Sequence, residues 1–380
     1  MAAADASTSK FTCRPNADGC SSNQVGTPPP AAPPPGSSPP AVPPRSGSPI
    51  WSGANSYFLW ALSSADQDEI LSSFIAAGVK VVRIFITGIA AGAKGSSAVE
   101  VNQLESTTVG VYDDKVLQLV DDLMVKTFNS GIKLNIVFHD RYMIDCTWGC
   151  DAYAYQWGAY TTYQNGATHD VSAWYQNANF ASEYENRMLH IVNHVNPTLG
   201  RAWKDLPEAI FGFGIQNEGQ AHSPIGDPNW VCNRATFIKA NLAPGINVLT
   251  GGGADVPDSI LSQHISCPAI DVISVHSYDS GAWSRSDYLQ LFQQIVAGGK
   301  RAIVEEFGAS GSGKASSLAA QISQITNSWG VPSFAWQVMK PSNPNDYEFF
   351  TDQGDVWSAF TSAIADASGK PGTFSWPEII

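Results

Sequence analysis

The chain has 380 residues, 43% hydrophobic and 11% aromatic, enough for one large core with a tail to spare. Only 14% are charged, and the net charge of −13 at pH 7 argues against nucleic acid and anionic membranes as partners, because both need basic surfaces. No run approaches the roughly eighteen apolar residues of a membrane-spanning helix, so the composition suits a neutral substrate in a mildly acidic medium.

Met1 to Lys10 lack the apolar centre of a signal peptide, although the rest of the chain has the character of an exported protein. The expectation is a secreted, extracellular protein whose leader is absent from this sequence. Residues 1–26 form a short polar tail holding Cys13 and Cys20. Residues 27–49 are dominated by proline, cannot build a core, and read as a disordered, polyproline-like spacer. No Asn-x-Ser/Thr sequon free of proline occurs, so N-glycosylation is not expected.

From Trp51 the texture changes. Trp51 to Trp60 reads as a first strand and its exit. Ser64-Ala65-Asp66-Gln67 has the pattern of a capping box, followed by Ile70, Leu71, Phe74 and Ile75 at helical spacing and a stop at Gly78. Val79 to Thr87 is almost continuously apolar, which marks a parallel strand buried on both faces. Val116, Leu119, Val120 and Leu123 form a helical stripe ending at Gly131, and Ile132 to His139 is a third strand. A long aromatic loop runs from Asp140 to Asn177, and Tyr184, Met188, Ile191 and Val195 mark the next helix. The run Ala209 to Ile215 is a fourth strand, ending at Asn217 and Glu218. A short helix around Arg234 to Asn241 precedes a fifth strand, Val248 to Thr250. Ile270 to His276 is a sixth, Arg301 to Glu306 a seventh and Val331 to Trp336 an eighth. Helices at Tyr288–Ile295, Leu318–Trp329 and Val356–Ala367 separate or follow them.

Strand and helix thus alternate eight times, which predicts an α/β fold with a parallel sheet, closed as a (β/α)8 TIM barrel over residues 50–380. An open doubly wound sheet would want a Gly-x-Gly-x-x-Gly turn after its first strand. Gly251-Gly252-Gly253 lacks that spacing and reads as a tight turn, not a phosphate site. The six cysteines allow fifteen pairings. Short separations favour Cys13–Cys20, Cys146–Cys150 and Cys232–Cys267, and disulfides imply an oxidising compartment.

Polar residues within buried strands are costly unless they are paired or have work to do. Here they gather at strand carboxyl ends: Arg83, His139, Asn217, Glu218, His276, Tyr278, Glu306 and Trp336. Any one has an ordinary structural explanation, but unrelated strands would not all place a polar group at the same face by accident. In a barrel of parallel strands that face carries the chemistry, and two carboxylates meeting across a groove are the equipment for cleaving a glycosidic bond.

From Trp51 to Ile364 this set resembles glycoside hydrolase family 5. The resemblance implies an Asn-Glu pair on the fourth strand, matched by Asn217-Glu218, with Glu218 as acid/base. It implies a nucleophile on the seventh strand followed by an aromatic and Gly, matched by Glu306-Phe307-Gly308. Arg83, His139, His276, Tyr278 and Trp336 match its supporting positions. Glu305 competes with Glu306, but strand neighbours point to opposite faces, so only one is expected to face the sugar. The roles require a raised pKa for the acid and an ionised nucleophile. Asn217 would donate to the sugar 2-hydroxyl, His139 and His276 would position sugar hydroxyls and the acid, and Trp336 would offer a flat face to the ring. No cofactor and no metal are expected: there is no His-x-His at the end of the first strand and no His-Glu-x-x-His, which weighs against a metal hydrolase on the same barrel. The intact carboxylate pair weighs against a non-catalytic carbohydrate-binding protein.

The opening Gly53-Ala54-Asn55-Ser56-Tyr57 is similar to fungal endo-β-mannanases of the family, so β-1,4-mannan is the leading substrate, with β-glucan or exo-action next. Asn217-Glu218-Gly219-Gln220 departs from the commoner Asn-Glu-Pro, which bears on the leaving-group side. The expected partner is an oligo- or polysaccharide, bound by a monomer.

Overall fold

The computed structural model describes residue 45, residues 48–166 and residues 170–379. Eight strands close into a barrel in chain order: β1 (Ser52–Asn55), β2 (Val79–Phe85), β3 (Lys133–Val137), β4 (Ile210–Gly214), β5 (Asn247–Leu249), β6 (Val272–His276), β7 (Arg301–Gly308) and β8 (Ser333–Trp336). Every neighbouring pair is parallel, including the closing pair β1–β8. The expected (β/α)8 barrel is present. Parallel pairing and an outer ring of helices bury both faces of the strands, which is why their sequences read as apolar runs rather than alternations.

The barrel interior is layered. Trp51, Val81, Phe211, Leu249, Val272, Ile303 and Phe334 fill its lower part, and Trp376 from the C-terminal segment seals them from below, edge-on to Trp51 at 5.4 Å between ring centroids. Above them lies a polar layer of Asn55, Arg83, Asn135 and Glu305, all fully buried and linked by hydrogen bonds and an ion pair. The larger apolar cluster lies between the strands and the outer helices.

Several local expectations shift. The helix Ser64–Ala77 is capped by Ser63, whose hydroxyl accepts from Asp66 N at 3.2 Å, so the cap lies one residue before the predicted Ser64. Gly78 closes that helix at φ 78°, a conformation that a Cβ penalises. The stretch after β3 is not one loop. It contains short helices at Ala152–Trp157, Ala159–Gln164 and Ser172–Gln176 before the long helix Ala178–Asn193 begins. Val195 is not part of that helix. It is exposed and pairs with Ala202 in a two-residue antiparallel ladder.

Two disulfides are formed. Cys146–Cys150 closes a tight loop after β3, and Cys232–Cys267 ties the helix Trp230–Lys239 to the segment before β6. Cys13 and Cys20 lie outside the described residues. The end of the proline-rich segment meets the barrel: Arg45 donates to Asn327 O at 2.8 Å, and Pro49 bridges Pro371. No described helix is long and apolar enough to cross a membrane.

Candidate active site

The polar layer rises into a cluster at the carboxyl ends of the strands. Arg83, fully buried on β2, is its hub. Nη1 donates to Glu306 Oε2 at 2.7 Å and to Asn55 Oδ1 at 3.1 Å, Nη2 donates to Asn217 Oδ1 at 2.7 Å, and Nε lies 3.4 Å from Glu305 Oε2. Burial alone would lower its pKa, but the charges of Glu305 and Glu306 outweigh burial and raise it. Tyr278 donates to the other oxygen of Glu306 at 2.8 Å.

Glu305 and Glu306 do not point to opposite faces. The β6–β7 register shifts between Val275 and His276, which pair with Val304 and Glu306 and leave Glu305 as the extra residue of a bulge. A bulge re-aims side chains, and both carboxylates reach Arg83. Glu305 is the lower one, with no exposed surface, accepting from Asn135 Nδ2 at 2.7 Å. Burial would raise its pKa, yet the Arg83 charge and hydrogen bonds from His276 and Asn135 hold it at about 2. Glu306 stands above it at the edge of the cleft.

Glu218 follows β4 with a left-handed backbone at φ 48°, fixed where its N–H donates to Gly251 O at 3.0 Å. One carboxylate oxygen accepts from His276 Nδ1 at 3.0 Å and the other from the Tyr142 hydroxyl. His276 Nε2 lies 3.3 Å from Glu305. Burial would lower the His276 pKa, but the Glu306 charge and the bonds to Glu218 and Glu305 push it up to about 9, so both ring nitrogens donate at neutral pH. Conversely, burial would raise the Glu218 pKa, and His276 and Tyr142 outweigh it and lower it. The raised pKa expected of the acid is therefore not what this geometry gives: the bonds from His276 and Tyr142 hold the Glu218 carboxyl below its ordinary value. One ligand atom each from Glu218, His276 and Glu306 lie within 4.8 Å of one another. Those donor types also suit a cation, but the Arg83 guanidinium and a protonated imidazole already occupy that neighbourhood.

The remaining predicted residues divide. Gly252 at φ 78° supplies the tight turn after β5, and a Cβ there would meet the His276 ring at 2.3 Å. Trp336 stacks on Tyr57 at 5.4 Å and 11°. His139 does not reach the cleft. It is 1% exposed, its Nε2 faces Asp151 Oδ2 at 2.6 Å and its Nδ1 accepts from Gln216 at 3.0 Å. Burial lowers its pKa, so it is a neutral brace beneath β4 rather than a sugar ligand. Asn217 Nδ2 donates to Asp140 Oδ1 at 3.1 Å.

Sequence reasoning missed Tyr142, Asp140 and Asn55. Asn55 and Asp140 do share the visible signal of a polar residue at or just past a strand's carboxyl end. Tyr142 carries none, since its direction is set by the short turn Arg141–Met143. The loop after Glu218 lacks the stiffening proline and is pinned instead by Gln220, whose side chain accepts from Gly226 N and Asp227 N at 2.8 and 3.0 Å.

A closed parallel barrel with two facing glutamates at its carboxyl end is the architecture of a large class of glycosidases. The family model described as "Cellulase (glycosyl hydrolase family 5)" matches residues 45–342, and the chain belongs to that family. Among characterised proteins it is similar to mannan endo-1,4-beta-mannosidase 5 of Solanum lycopersicum, 25% identical over 271 residues that cover 65% of this chain and 61% of the relative. The chain thus spans less than two thirds of that relative's length. Among solved structures it is similar in fold to an endo-1,4-beta-mannanase from Rhizomucor miehei, at 17% identity and TM-score 0.66, covering 87% of this chain and 100% of that one. A family 5 mannosidase from the same organism aligns at 16% identity and TM-score 0.61, covering 85% and 95%.

Proposed function

We propose that this chain is a retaining β-glycoside hydrolase that cleaves β-1,4-linked mannan, with residues 50–380 as the catalytic unit and residues 27–49 as a spacer. The observation that carries the reading is the closeness of Glu218 and Glu306, whose nearest ligand atoms fall within 4.8 Å across the β4 and β7 ends. Retaining glycosidases hold their two carboxyl groups about 5–5.5 Å apart, leaving no room for a water between sugar and nucleophile. Glu306, aimed by Arg83 and Tyr278, attacks the anomeric carbon. The bond to the leaving oxygen breaks as that oxygen takes a proton from Glu218. A water then enters, loses its proton to Glu218, and displaces Glu306 from the covalent intermediate.

The acid's proton is stored next door. With His276 charged or with Glu218 protonated, the pair holds one proton, and the 3.0 Å contact between Nδ1 and Oε1 lets it cross. Desolvation of the cleft by a bound sugar favours the neutral arrangement, in which Glu218 carries it. Asn217 and Tyr278 border the sugar, and Trp336 on Tyr57 offers it an aromatic face.

Mannan as substrate is supported by the names of the relatives. Endo-action is supported by the names of the relatives, mannan endo-1,4-beta-mannosidases and an endo-1,4-beta-mannanase. Secretion is in keeping with the two disulfides.

Proton NMR of the first products from a soluble mannan decides the mechanism, and a reducing-end assay over mannan, glucomannan and β-glucan decides the substrate. β-Anomers appearing first, with internal cleavage of mannan, are expected. α-Anomers first would mean inversion, and no cleavage of mannan would remove the substrate assignment.

A further inference from the structure

The excursion after β3 carries more than Tyr142. Among the described residues five large aromatic side chains are strongly exposed: Phe128, Trp148, Tyr155, Tyr163 and Tyr278. Tyr278 belongs to the cleft and Phe128 to the end of the helix after β2. The other three fall together between residues 148 and 163. Tyr160 adds a fourth ring, 4.2 Å from Tyr155 and tilted 31° to it. Monomeric surfaces seldom cluster exposed apolar groups without a use.

The patch has its own support. Cys146, Ala154 and Ala159 form a small buried cluster apart from the main core, with Cys150, Trp157 and Tyr160 packed against it. The Cys146–Cys150 disulfide thus underlies Tyr160 and closes the loop that presents Trp148. Trp148 in turn packs edge-on against Tyr142 at 6.0 Å, and Tyr142 bonds Glu218. Trp148 therefore adjoins the rim of the cleft beside Glu218, and the disulfide that holds its loop packs in the same small cluster as Tyr160.

Its chemistry selects the occupant. From Cys146 to Thr168 the only charged side chain is Asp151, which is fully buried beside His139, although the chain as a whole has a net charge of −13. From Cys146 to Gly166 the only aliphatic side chains are alanines, and the methionine and arginine that accompany aromatic rings at protein interfaces are missing. What is exposed is aromatic rings with Thr161, Gln164 and Asn165 among them. Flat rings for the apolar faces of sugar rings, amides and hydroxyls for their hydroxyl groups, and no charge suit a neutral polysaccharide.

We infer that Trp148, Tyr155, Tyr160 and Tyr163 form an auxiliary binding surface for a neutral β-linked polysaccharide, gripping the polymer beyond the leaving-group end of the cleft. This rests on the reading of the chain as a polysaccharide hydrolase, and the test separates the two.

The full chain carrying Glu306→Ala, which leaves the polymer intact, is run through native gels containing soluble galactomannan or hydroxyethylcellulose, with and without Tyr155→Ala/Tyr163→Ala. Retardation by at least one polymer is expected, with the double substitution weakening it at least about five-fold, the loss of roughly one stacking contact's free energy. Hydroxyl-radical footprinting of the otherwise unaltered chain reads the same surface without any tyrosine substitution, and the polymer should protect Tyr155 and Tyr163. Unchanged retardation and no protection, in an enzyme that cleaves mannan, overturn the surface and leave the hydrolase reading standing. Tyrosine-dependent retardation in a chain that cleaves no glycan supports the surface and removes the hydrolase reading. Self-association that requires Tyr155 and Tyr163, seen by sedimentation without polymer, would overturn the inference in favour of a second copy.

Discussion

Asp140 is a buried carboxyl whose ionisation costs the fold stability, and Asp140→Asn measures that cost. Burial is the main cause that pushes its carboxyl from 3.8 up to about 7, against the opposing pull of hydrogen bonds from Asn217 and Tyr142 N. For an acid with a raised folded-state pKa, the folded protein is not penalised below pH 3.8. As pH rises, the unfolded chain ionises first and gains stability that the folded chain is denied, until the penalty is complete above about pH 7. The gap corresponds to about 4 kcal/mol when complete. It amounts to about 2 kcal/mol at pH 5 and is essentially complete at pH 8. Asparagine at 140 cannot ionise, yet its Oδ1 can still accept from Asn217 Nδ2 and Tyr142 N, so contributions that do not depend on pH cancel when the two pH values are compared. Urea unfolding of both proteins at pH 5 and pH 8 should show the variant's stability relative to the parent rising by about 2–3 kcal/mol between them, with the same denaturant slope. A rise below about 1 kcal/mol would mean that Asp140 is solvated enough to ionise freely, and the reasoning fails.

Other outcomes follow from the same cluster. Glu218→Ala should slow turnover of a polysaccharide about 10²–10⁴-fold while an activated aryl glycoside still forms the covalent intermediate, read as a burst of released phenol. Arg83→Lys keeps the charge but offers one nitrogen where three bridged Glu306, Asn217 and Glu305. Losing at least one charged hydrogen bond should cut kcat/KM about 10–100-fold in a folded protein, and an unaltered kcat/KM would contradict the hub role. Non-reducing peptide mapping should link Cys146 to Cys150 and Cys232 to Cys267, and free thiols at those positions would count against the pairing.

Much of this molecule is legible in its sequence because parallel strands sealed on both faces announce themselves as unbroken apolar runs. Any polar residue at such a run's end, as at Arg83, Asn217, His276 and Glu306, is conspicuous. The same reasoning fails where direction depends on contacts that no local pattern encodes. His139 has the same credentials as His276, but Asp151 and Gln216 turn it away from the cleft. The alternation rule gave Glu305 and Glu306 opposite faces, and a one-residue bulge set by the neighbouring strand cancelled it. Tyr142 sits in an aromatic-rich segment where nothing distinguishes the one ring that bonds Glu218. The cap at Ser63 rather than Ser64 is a smaller case: both serines suit the position, and tertiary packing chooses.

The bulge has a consequence for how the protein tolerates loss of its own chemistry. Three carboxyl groups, Glu218, Glu305 and Glu306, share two cations, Arg83 and protonated His276, in a site largely closed to water. Among the groups that touch Arg83 or His276, carboxylates thus outnumber cations by one. Because Glu305 lies below Glu306 on the same guanidinium, deleting Glu306 does not strand Arg83; it makes the two numbers equal. The inactive Glu306→Ala protein should then melt no lower than its parent, whereas Glu305→Ala, which leaves Arg83 without its deep counter-ion, should melt markedly lower. The residue whose absence endangers the fold is then Glu305, and the proposed nucleophile Glu306 is one the scaffold can lose.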